Sequence, residues 1–179
     1  SAAALDPALF DSALAQRVHE DTRIEWEEKS GRFCATRERR IGALRLSSAR
    51  VRDVSDEERL QGLIRLLRDS DLEHLAWNEA SRRFRERAAL MGSLQDDWPD
   101  FSFAGLADDL ETWLAPYLRD VRRLADLRRV DVLAALRARL TWSRQQTLDA
   151  WLPERIELPS GSTARVDYSQ HPTVLAAKL

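Results

Sequence analysis

The sequence predicts an α+β protein made of an N-terminal antiparallel β-meander, a central helical block and a C-terminal β-hairpin. Residues 22–51 alternate in polarity, residues 55–152 carry apolar side chains at helical spacing, and two short alternating runs flank a turn near residue 160. Because the strands form two groups around the helices, the pattern favours α+β over alternating α/β. The predicted parts are residues 1–52 (a short helix and the basic meander), 53–152 (the helical block) and 153–179 (the hairpin and the start of a further segment).

These three parts are expected to form one compact unit. The apolar run at residues 173–179 ends without a cap or a polar tail, so we expect the natural chain to continue beyond it. At the other end, Asp6 is predicted to cap a short helix. Pro7 would occupy its first position, where the missing N–H has no helical partner to lose.

The meander is predicted within residues 22–51. Residues 22–27 alternate polar and apolar side chains, as a half-buried strand does. Residues 28–31 are typical of a hairpin turn, in which Gly31 can adopt a positive φ. The next two strands are predicted at residues 32–41 and 43–51, with a bend at Gly42. We expect the meander to present one solvent-exposed, arginine-rich face.

The helical block is predicted to contain five helices and a helical turn near Leu124. Ser55 and Glu58 form a capping box before the first helix, because each side chain can bond to the other residue's backbone N–H. Apolar side chains follow at the spacing of one helix face, at positions 60, 63, 64 and 67. The other four helices are predicted to start at or near Asn78, Ser102, Asp131 and Ser143. Gly92, Pro116 and Pro153 are predicted to end the second, third and fifth.

The core of the block is predicted from the same periodicity. The second helix places Ala80, Phe84, Ala88 and Met91 on one face. The six tryptophans are spread through the chain, and we expect them to pack in the core because aromatic side chains bury large apolar areas. They are Trp26, Trp77, Trp98, Trp113, Trp142 and Trp151.

Composition excludes several classes of protein. Cys34 is the single cysteine, which excludes an internal disulfide and a cysteine-only metal site and favours a reducing, cytoplasmic location. No apolar run approaches the roughly 20 residues of a membrane-spanning helix, so no membrane partner is expected.

The sequence carries no recognisable catalytic, cofactor or metal motif. None of the six glycines precedes a Lys-Ser or Lys-Thr pair, so there is no phosphate-binding loop. The three histidines (His19, His74 and His171) lie far apart and form no pair on one helix face. Ser160-Gly161-Ser162 lacks the glycine two places before the serine of a nucleophile elbow and is predicted to be a simple turn. We therefore expect no catalytic residue, no bound cofactor and no metal in this chain.

One segment has a charge pattern that suggests a function. Residues 32–52 contain seven arginines and one acidic residue, so the segment has a net charge of +6 in a chain whose total is −2. Arginine forks bind phosphate oxygens in a bidentate manner, and a strand can present several of them. The candidate nucleic-acid contacts are Arg37, Arg39, Arg40, Arg45 and, on the late hairpin, Arg165.

Two other interpretations of this segment stay open. The arginines can form a solvated strand face that pairs with acidic residues elsewhere in the molecule. Alternatively, the segment can belong to a docking or protein-interaction module, in which acidic neighbours neutralise the arginines and an apolar patch is exposed instead.

The late hairpin also carries a family resemblance. Leu-Pro-Ser-Gly-Ser at residues 158–162 and Asp-Tyr-Ser at 167–169 resemble the C-terminal region of the bacterial HrpB helicases, which are members of the DEAH-box group. Weaker likenesses to the same family occur along nearly the whole chain, in the order in which the family has these segments. They are at residues 5–9, 41–44, 77–80, 97–100, 113–118 and 174–179.

The resemblance implies a longer parent protein with two motor domains that bind ATP and magnesium, hydrolyse ATP and translocate on RNA or DNA. This chain has neither the phosphate loop nor an Asp-Glu-x-His box, so no catalytic residue of the motor can be assigned to it. The expected role is a non-catalytic accessory region, with the motor domains in cis as partners and RNA or a single nucleic-acid strand as a ligand. The alternative is a module that docks on the motor or recruits a partner.

Overall fold

A computed structural model describes residues 18–27, 30–51, 54–169 and 174–176. The chain divides into two compact units: unit 1 comprises residues 1–62 and 122–124, and unit 2 comprises residues 63–121 and 125–179. Strands precede and follow a set of helices, which confirms the α+β class. The predicted helix at Asp6 lies outside the described residues, and the predicted three-part division stays a prediction.

Unit 1 contains a three-stranded antiparallel sheet in the order β1-β2-β3. Its strands are β1 (Val18–Glu27), β2 (Arg32–Ile41) and β3 (Leu44–Val51). β1 starts four residues before the predicted position, because pairing with β2 continues to Val18↔Ile41 although its first residues show no clear alternation. The β2–β3 register shifts between Arg39 and Arg40, where β3 has one extra residue.

The two turns of this sheet use glycine as predicted. Gly31 has a φ of 64° and Gly42 a φ of 57°. Both values lie in the left-handed region, which costs glycine little because it has no Cβ. Residues 28 and 29 of the first turn lie outside the described part of the chain.

Helix α1 (Asp56–Asp69) begins with the predicted capping box. The Ser55 N–H donates to Glu58 Oε2 at 2.9 Å, and the Glu58 N–H donates to Ser55 Oγ at 3.2 Å. The N-terminal half of the helix packs on β1 within unit 1, where a Cβ on Gly62 would collide with Ile24. Glycine therefore permits the close approach of helix and strand.

Unit 2 contains the remaining helices. They are α2 (Glu79–Gly92), α3 (Phe103–Asp108), α4 (Leu110–Trp113), α5 (Val132–Ala138) and α6 (Trp142–Trp151), with a 3-10 turn at Ala115–Tyr117 and another at Leu124–Arg129 that starts at the unit boundary. α2 starts at the predicted position, and Asn78 caps it by accepting from the Ser81 N–H at 2.8 Å. The predicted buried face of α2 is wrong at Ala80, which is exposed, whereas Ser81 and Arg87 are buried.

The third predicted helix is interrupted at Asp109. Near the break, two backbone carbonyl groups accept hydrogen bonds from side chains. Trp113 Nε1 donates to Leu106 O at 2.8 Å, and Arg68 Nε donates to Ala107 O at 3.2 Å. These bonds compete with the amides that would continue the helix. The chain therefore divides into α3, α4 and the 3-10 turn that contains Pro116.

The fifth predicted helix starts two residues early. Thr141, not Ser143, caps α6 and accepts from the Arg144 N–H at 3.3 Å. Trp142 and Trp151 at its two ends are exposed, so the predicted core position is wrong for both. They lie nine residues apart and thus on opposite sides of the helix, whose fully buried residue is Leu148.

The C-terminal hairpin is confirmed and gains a third strand. β4 (Arg155–Glu157), β5 (Thr163–Asp167) and β6 (Val174–Ala176) form an antiparallel sheet in the order β4-β5-β6. The predicted turn closes with a bond from the Leu158 N–H to Ser162 O at 2.8 Å. Within the described ranges, no helix is long and apolar enough to cross a membrane.

Candidate functional site

The predicted arginine-rich face does not form, because the arginines lie on both faces of the sheet. Successive side chains of a strand point to opposite faces, so Arg37 and Arg39 share a face with Phe33, whereas Arg40 shares the other with Cys34. Arg45 pairs with Arg40 across the β2–β3 ladder and therefore lies on the Cys34 side. The segment is rich in arginine, but the alternation of side chains along its strands distributes the positive charge over both faces of the sheet.

On the Phe33 side, Arg37 has an internal partner. Its Nη2 lies 3.2 Å from Glu58 Oε1, which joins β2 to the first turn of α1. The hydrogen bonds from Ser55 and then the contact with Arg37 hold the pKa of Glu58 below its usual range. Arg37 therefore already has a carboxylate partner within unit 1.

On the Cys34 side, Glu38 neutralises two candidate arginines. Its carboxylate lies 3.0 Å from Arg40 Nη2 and 3.5 Å from Arg45 Nη1. Further along this face, Arg50 Nη2 lies 3.0 Å from Glu27 Oε1 and donates to Cys34 Sγ at 3.1 Å. The contact with Cys34 raises the pKa of Arg50 above its ordinary value.

The end of the β2–β3 hairpin, residues 39–46, combines charge with exposed apolar surface. Arg39 is exposed and has no ion pair or hydrogen-bonded partner among the described side chains. Leu44 is 64% exposed and Leu46 is 36% exposed. We call residues 39–46 the hairpin end.

Arg165 belongs to unit 2, on β5. Its Nη1 lies 3.5 Å from Glu79 Oε1, the same oxygen with which Arg83 forms an ion pair. These groups line a cleft of about 280 Å³ between α2 and β5. The cleft contains part of the Asp-Tyr-Ser segment that carried the family resemblance.

One important residue, Arg87 on α2, was missed by the sequence interpretation. It is 2% exposed and donates to Leu152 O at 2.8 Å, to Glu154 Oε1 at 2.8 Å and to Asp149 Oδ1 at 2.5 Å. It thereby connects α2, α6 and the segment before β4. Arg87 lies three positions after Phe84, beside the apolar stripe of Phe84, Ala88 and Met91. A charged residue at this spacing was the signal that could have revealed it.

The described residues combine networks of charged side chains with exposed apolar side chains. Among the residues that the structure describes, no group of three or more His, Cys, Asp and Glu side chains could hold a metal ion. The chemically distinctive groups are guanidinium–carboxylate networks and the exposed leucines of the hairpin end.

Comparison with known proteins identifies both units. Residues 113–179 match the family model described as ATP-dependent helicase C-terminal, and residues 17–50 match the one described as ATP-dependent RNA helicase HrpB, connector region. Together the two matches cover more than half of the chain. The second coincides with the sheet of unit 1.

A curated relative and two crystal structures extend the match. The ATP-dependent RNA helicase HrpB of Escherichia coli strain K12 is 32% identical over 167 residues, which are 92% of this chain and 21% of the relative. A crystal structure of E. coli DExH-box NTPase HrpB aligns with a TM-score of 0.72 at 30% identity, covering 98% of this chain and 22% of that one.

A second crystal structure, of Escherichia coli DEAH/RHA helicase HrpB, aligns with a TM-score of 0.71 at 32% identity and covers 90% of this chain and 21% of that one. The chain thus spans about a fifth of the length of the relatives that it matches. Sequence and fold agree on the same family over nearly the whole chain. The chain belongs to the HrpB family and corresponds to the connector and C-terminal regions of its members.

Proposed function

We propose that this chain is a non-catalytic accessory region of an ATP-dependent helicase and that its hairpin end docks on the motor domains of the same polypeptide. The E. coli relative is named as an ATP-dependent RNA helicase and is about five times longer than the matched region. The proposal assigns ATP, magnesium and the hydrolytic chemistry to the remainder of that longer protein. The chain itself would contribute structure and contacts.

The observation that carries the proposal is the chemistry of the hairpin end. Leu44 and Leu46 expose apolar surface, while Glu38 and Glu58 neutralise Arg45, Arg40 and Arg37. Exposed apolar side chains favour a protein contact, and a guanidinium that is already paired has to leave its carboxylate before it can bind a phosphate. The name of the matching connector model also supports a linking role for this sheet.

Thiol labelling of the full-length protein tests the docking. Ala43 lies in the exposed turn of the hairpin end, and Ala43→Cys places a reactive reporter there. We expect this thiol to react at least tenfold more slowly in the native protein than in the denatured protein, as measured by mass spectrometry of the labelled peptide.

The matched control is Leu94→Cys in unit 2, where Leu94 is also exposed in a turn. We expect it to react rapidly in the native protein. Equal and rapid reaction at both positions would show that nothing covers the hairpin end.

A second candidate function is direct nucleic-acid contact by the same hairpin. It is favoured by Arg39, which has no partner among the described side chains, and by the exposure of Arg40 and Arg45. Charge reversal by Arg39→Glu with Arg40→Glu separates the two functions, with Arg65→Glu at an exposed position of α1 as the control.

If the arginines bind phosphates, this double substitution weakens binding of a labelled single strand. It also makes binding less dependent on salt, because the slope of log affinity against log salt falls by about one for each arginine–phosphate pair that is removed. If the hairpin docks, strand affinity stays unchanged while labelling of Ala43→Cys accelerates.

A further inference from the structure

A second candidate binding surface lies in unit 2, in the cleft between α2 and β5. The cleft has a volume of about 280 Å³ and is open to solvent. Its charged lining residues are Arg82, Arg83, Arg165, Glu79, Glu86 and Asp167. The three guanidinium groups and the three carboxylates balance in charge, so their arrangement determines what the cleft can bind.

Two guanidinium groups converge on one carboxylate oxygen at this cleft. Arg165 Nη1 lies 3.5 Å from Glu79 Oε1, and Arg83 Nη2 pairs with the same atom. The Glu79 side chain is 69% exposed, and the structure shows no bond from this carboxylate to the described backbone. The pair therefore forms an anion-binding position that an exposed internal carboxylate occupies and can leave by side-chain rotation.

The other two carboxylates do not fill this position. Asp167 Oδ1 accepts hydrogen bonds from Ser169 N–H at 3.0 Å and from Ser169 Oγ at 2.7 Å, so this oxygen is bound within its own loop. These bonds and then the charge of Arg83 lower the pKa of Asp167, but among the described contacts Asp167 forms no direct ion pair with Arg83. Glu86 also lines a neighbouring small cavity beside the buried Arg87, and among the described contacts it forms no ion pair with Arg83 or Arg165. Arg82 also lines the cleft, is exposed and adds a third guanidinium, whose Nε donates to Trp77 O at 3.2 Å.

We propose that this cleft binds the sugar–phosphate backbone of a single nucleic-acid strand, with one phosphodiester replacing the Glu79 carboxylate between Arg83 and Arg165. A phosphodiester carries one negative charge on two free oxygens, which matches the forked donors of arginine. Arg82 supplies the contact to a neighbouring phosphate. Phosphate contacts of this kind position a strand without reading its sequence.

The alternative ligand, a carboxylate on a partner protein, fits less well. It would exchange one carboxylate for another between Arg83 and Arg165 and would leave Arg82 without a role. The strand backbone repeats its charge along its length and uses all three guanidinium groups. The inference is independent of the docking proposed for unit 1.

The experiment measures binding of fluorescein-labelled oligodeoxythymidylate to the full-length protein by anisotropy, without nucleotide, at low and moderate salt. Arg83→Gln with Arg165→Gln is expected to weaken binding about three- to tenfold at low salt and to lower the salt slope by about one to two. Glu79→Gln is expected to strengthen binding about two- to threefold, because it removes the competing internal anion while the arginines remain.

The controls each remove a single charge of the same kind outside the cleft. Glu73→Gln removes an exposed carboxylate from a loop, and Arg65→Gln removes an exposed guanidinium from α1. Both are expected to leave affinity within about twofold of the unsubstituted protein. Circular dichroism and thermal unfolding of each variant establish that it folds. Because the Glu79 side chain is exposed, Glu79→Gln should perturb the fold least.

Opposite effects of the Glu79 and arginine substitutions support the proposal. It is overturned if Glu79→Gln changes affinity no more than Glu73→Gln, or if the arginine pair behaves like Arg65→Gln. A competition experiment gives a further outcome that would overturn it. In that outcome, unlabelled polyglutamate displaces the labelled oligonucleotide with the same efficiency as unlabelled oligodeoxythymidylate, and this displacement is lost in the Arg83→Gln, Arg165→Gln variant. That outcome assigns the cleft to protein carboxylates.

Discussion

At the scale of single residues, Arg87 shows how a buried charge is stabilised within a helix face that is otherwise apolar. Its three bonds reach two carboxylates and one carbonyl group. Asp149 and Glu154 remain largely exposed, so only the guanidinium loses most of its hydration. A hydrogen bond from each of its three nitrogens offsets that loss, and the residue connects three parts of unit 2.

Replacing Arg87 should therefore destabilise the chain more than replacing an exposed arginine. Arg87→Leu leaves the Leu152 carbonyl without its donor and both carboxylates without their partner. We expect a loss of about 2–4 kcal/mol in the free energy of unfolding, measured by urea denaturation. Arg65→Leu at an exposed position of α1 is the control, with an expected change within about 0.5 kcal/mol. Similar values for the two variants would contradict the structural role of Arg87.

Glu58 gives a second prediction at this scale, which concerns pH. Ser55 and Arg37 hold the pKa of Glu58 below its ordinary value in the folded chain. The ionised side chain therefore contributes stability above the unfolded pKa of about 4.3, and this contribution is lost as pH falls through the lower folded value. Between pH about 5 and 3, Glu58→Gln should show a shallower decline in unfolding free energy than the unsubstituted chain.

The neighbouring substitution Glu57→Gln is the control for this pH dependence. Glu57 lies in the same helical turn and accepts a bond only from the Gln61 side chain among the described contacts. We expect the chain with Glu57→Gln to keep the steeper decline. Identical profiles for the two variants would show that the capping box does not couple to protonation.

At the scale of elements, the contact between α1 and β1 depends on a glycine in the middle of a helix. Alanine is favoured over glycine in a helix by about 1 kcal/mol, but a Cβ at residue 62 would collide with Ile24. Overpacking of this kind typically costs about 1–3 kcal/mol. The steric term therefore opposes and should outweigh the gain in helix propensity.

We expect Gly62→Ala to lower the free energy of unfolding by about 1–2 kcal/mol, as measured by chemical denaturation. Gly92→Ala is the matched control, because a Cβ there would meet Trp98 Cδ1 at an ordinary 3.7 Å. That variant should be neutral or slightly stabilised. Ile24→Ala should recover part of the loss when it is combined with Gly62→Ala, and a Gly62→Ala chain as stable as the Gly92→Ala chain would argue against close packing.

Local signals predicted most of the elements, and tertiary contacts explain the errors. The Ser55–Glu58 box and the Asn78 cap are short-range interactions, so sequence alone indicated them. The break at Asp109 depends on Arg68, which lies about forty positions earlier and takes the Ala107 carbonyl. No pattern within residues 102–116 contains that information.

The candidate site was predictable in composition but not in arrangement. The arginines of β2 and β3 were visible in the sequence, yet Glu38 and Glu58 determine how many are available. Glu58 lies on a different element, so its pairing with Arg37 required the fold. Arg165 was predicted as a single contact, whereas the structure places it beside Arg83 at a common carboxylate.

At the scale of the whole molecule, the two units carry different surfaces. Unit 1 presents exposed leucines beside paired arginines, and unit 2 presents three guanidinium groups along one cleft. The comparisons agree with this division, since the connector match lies in unit 1 and the C-terminal match lies almost wholly in unit 2. We therefore propose protein docking for the first unit and strand binding for the second.

This assignment predicts that the two activities can be separated in the full-length protein. In an Ala43→Cys background, Leu44→Ser with Leu46→Ser should accelerate thiol labelling at the hairpin end and leave strand affinity unchanged. Arg83→Gln with Arg165→Gln should have the reverse effects. A protein with all four substitutions should show both changes at their individual sizes, because independent sites contribute additively to free energy. If the leucine substitutions alone weaken strand binding as much as the arginine substitutions do, the hairpin end itself contacts nucleic acid, and the separation of roles between the units is wrong.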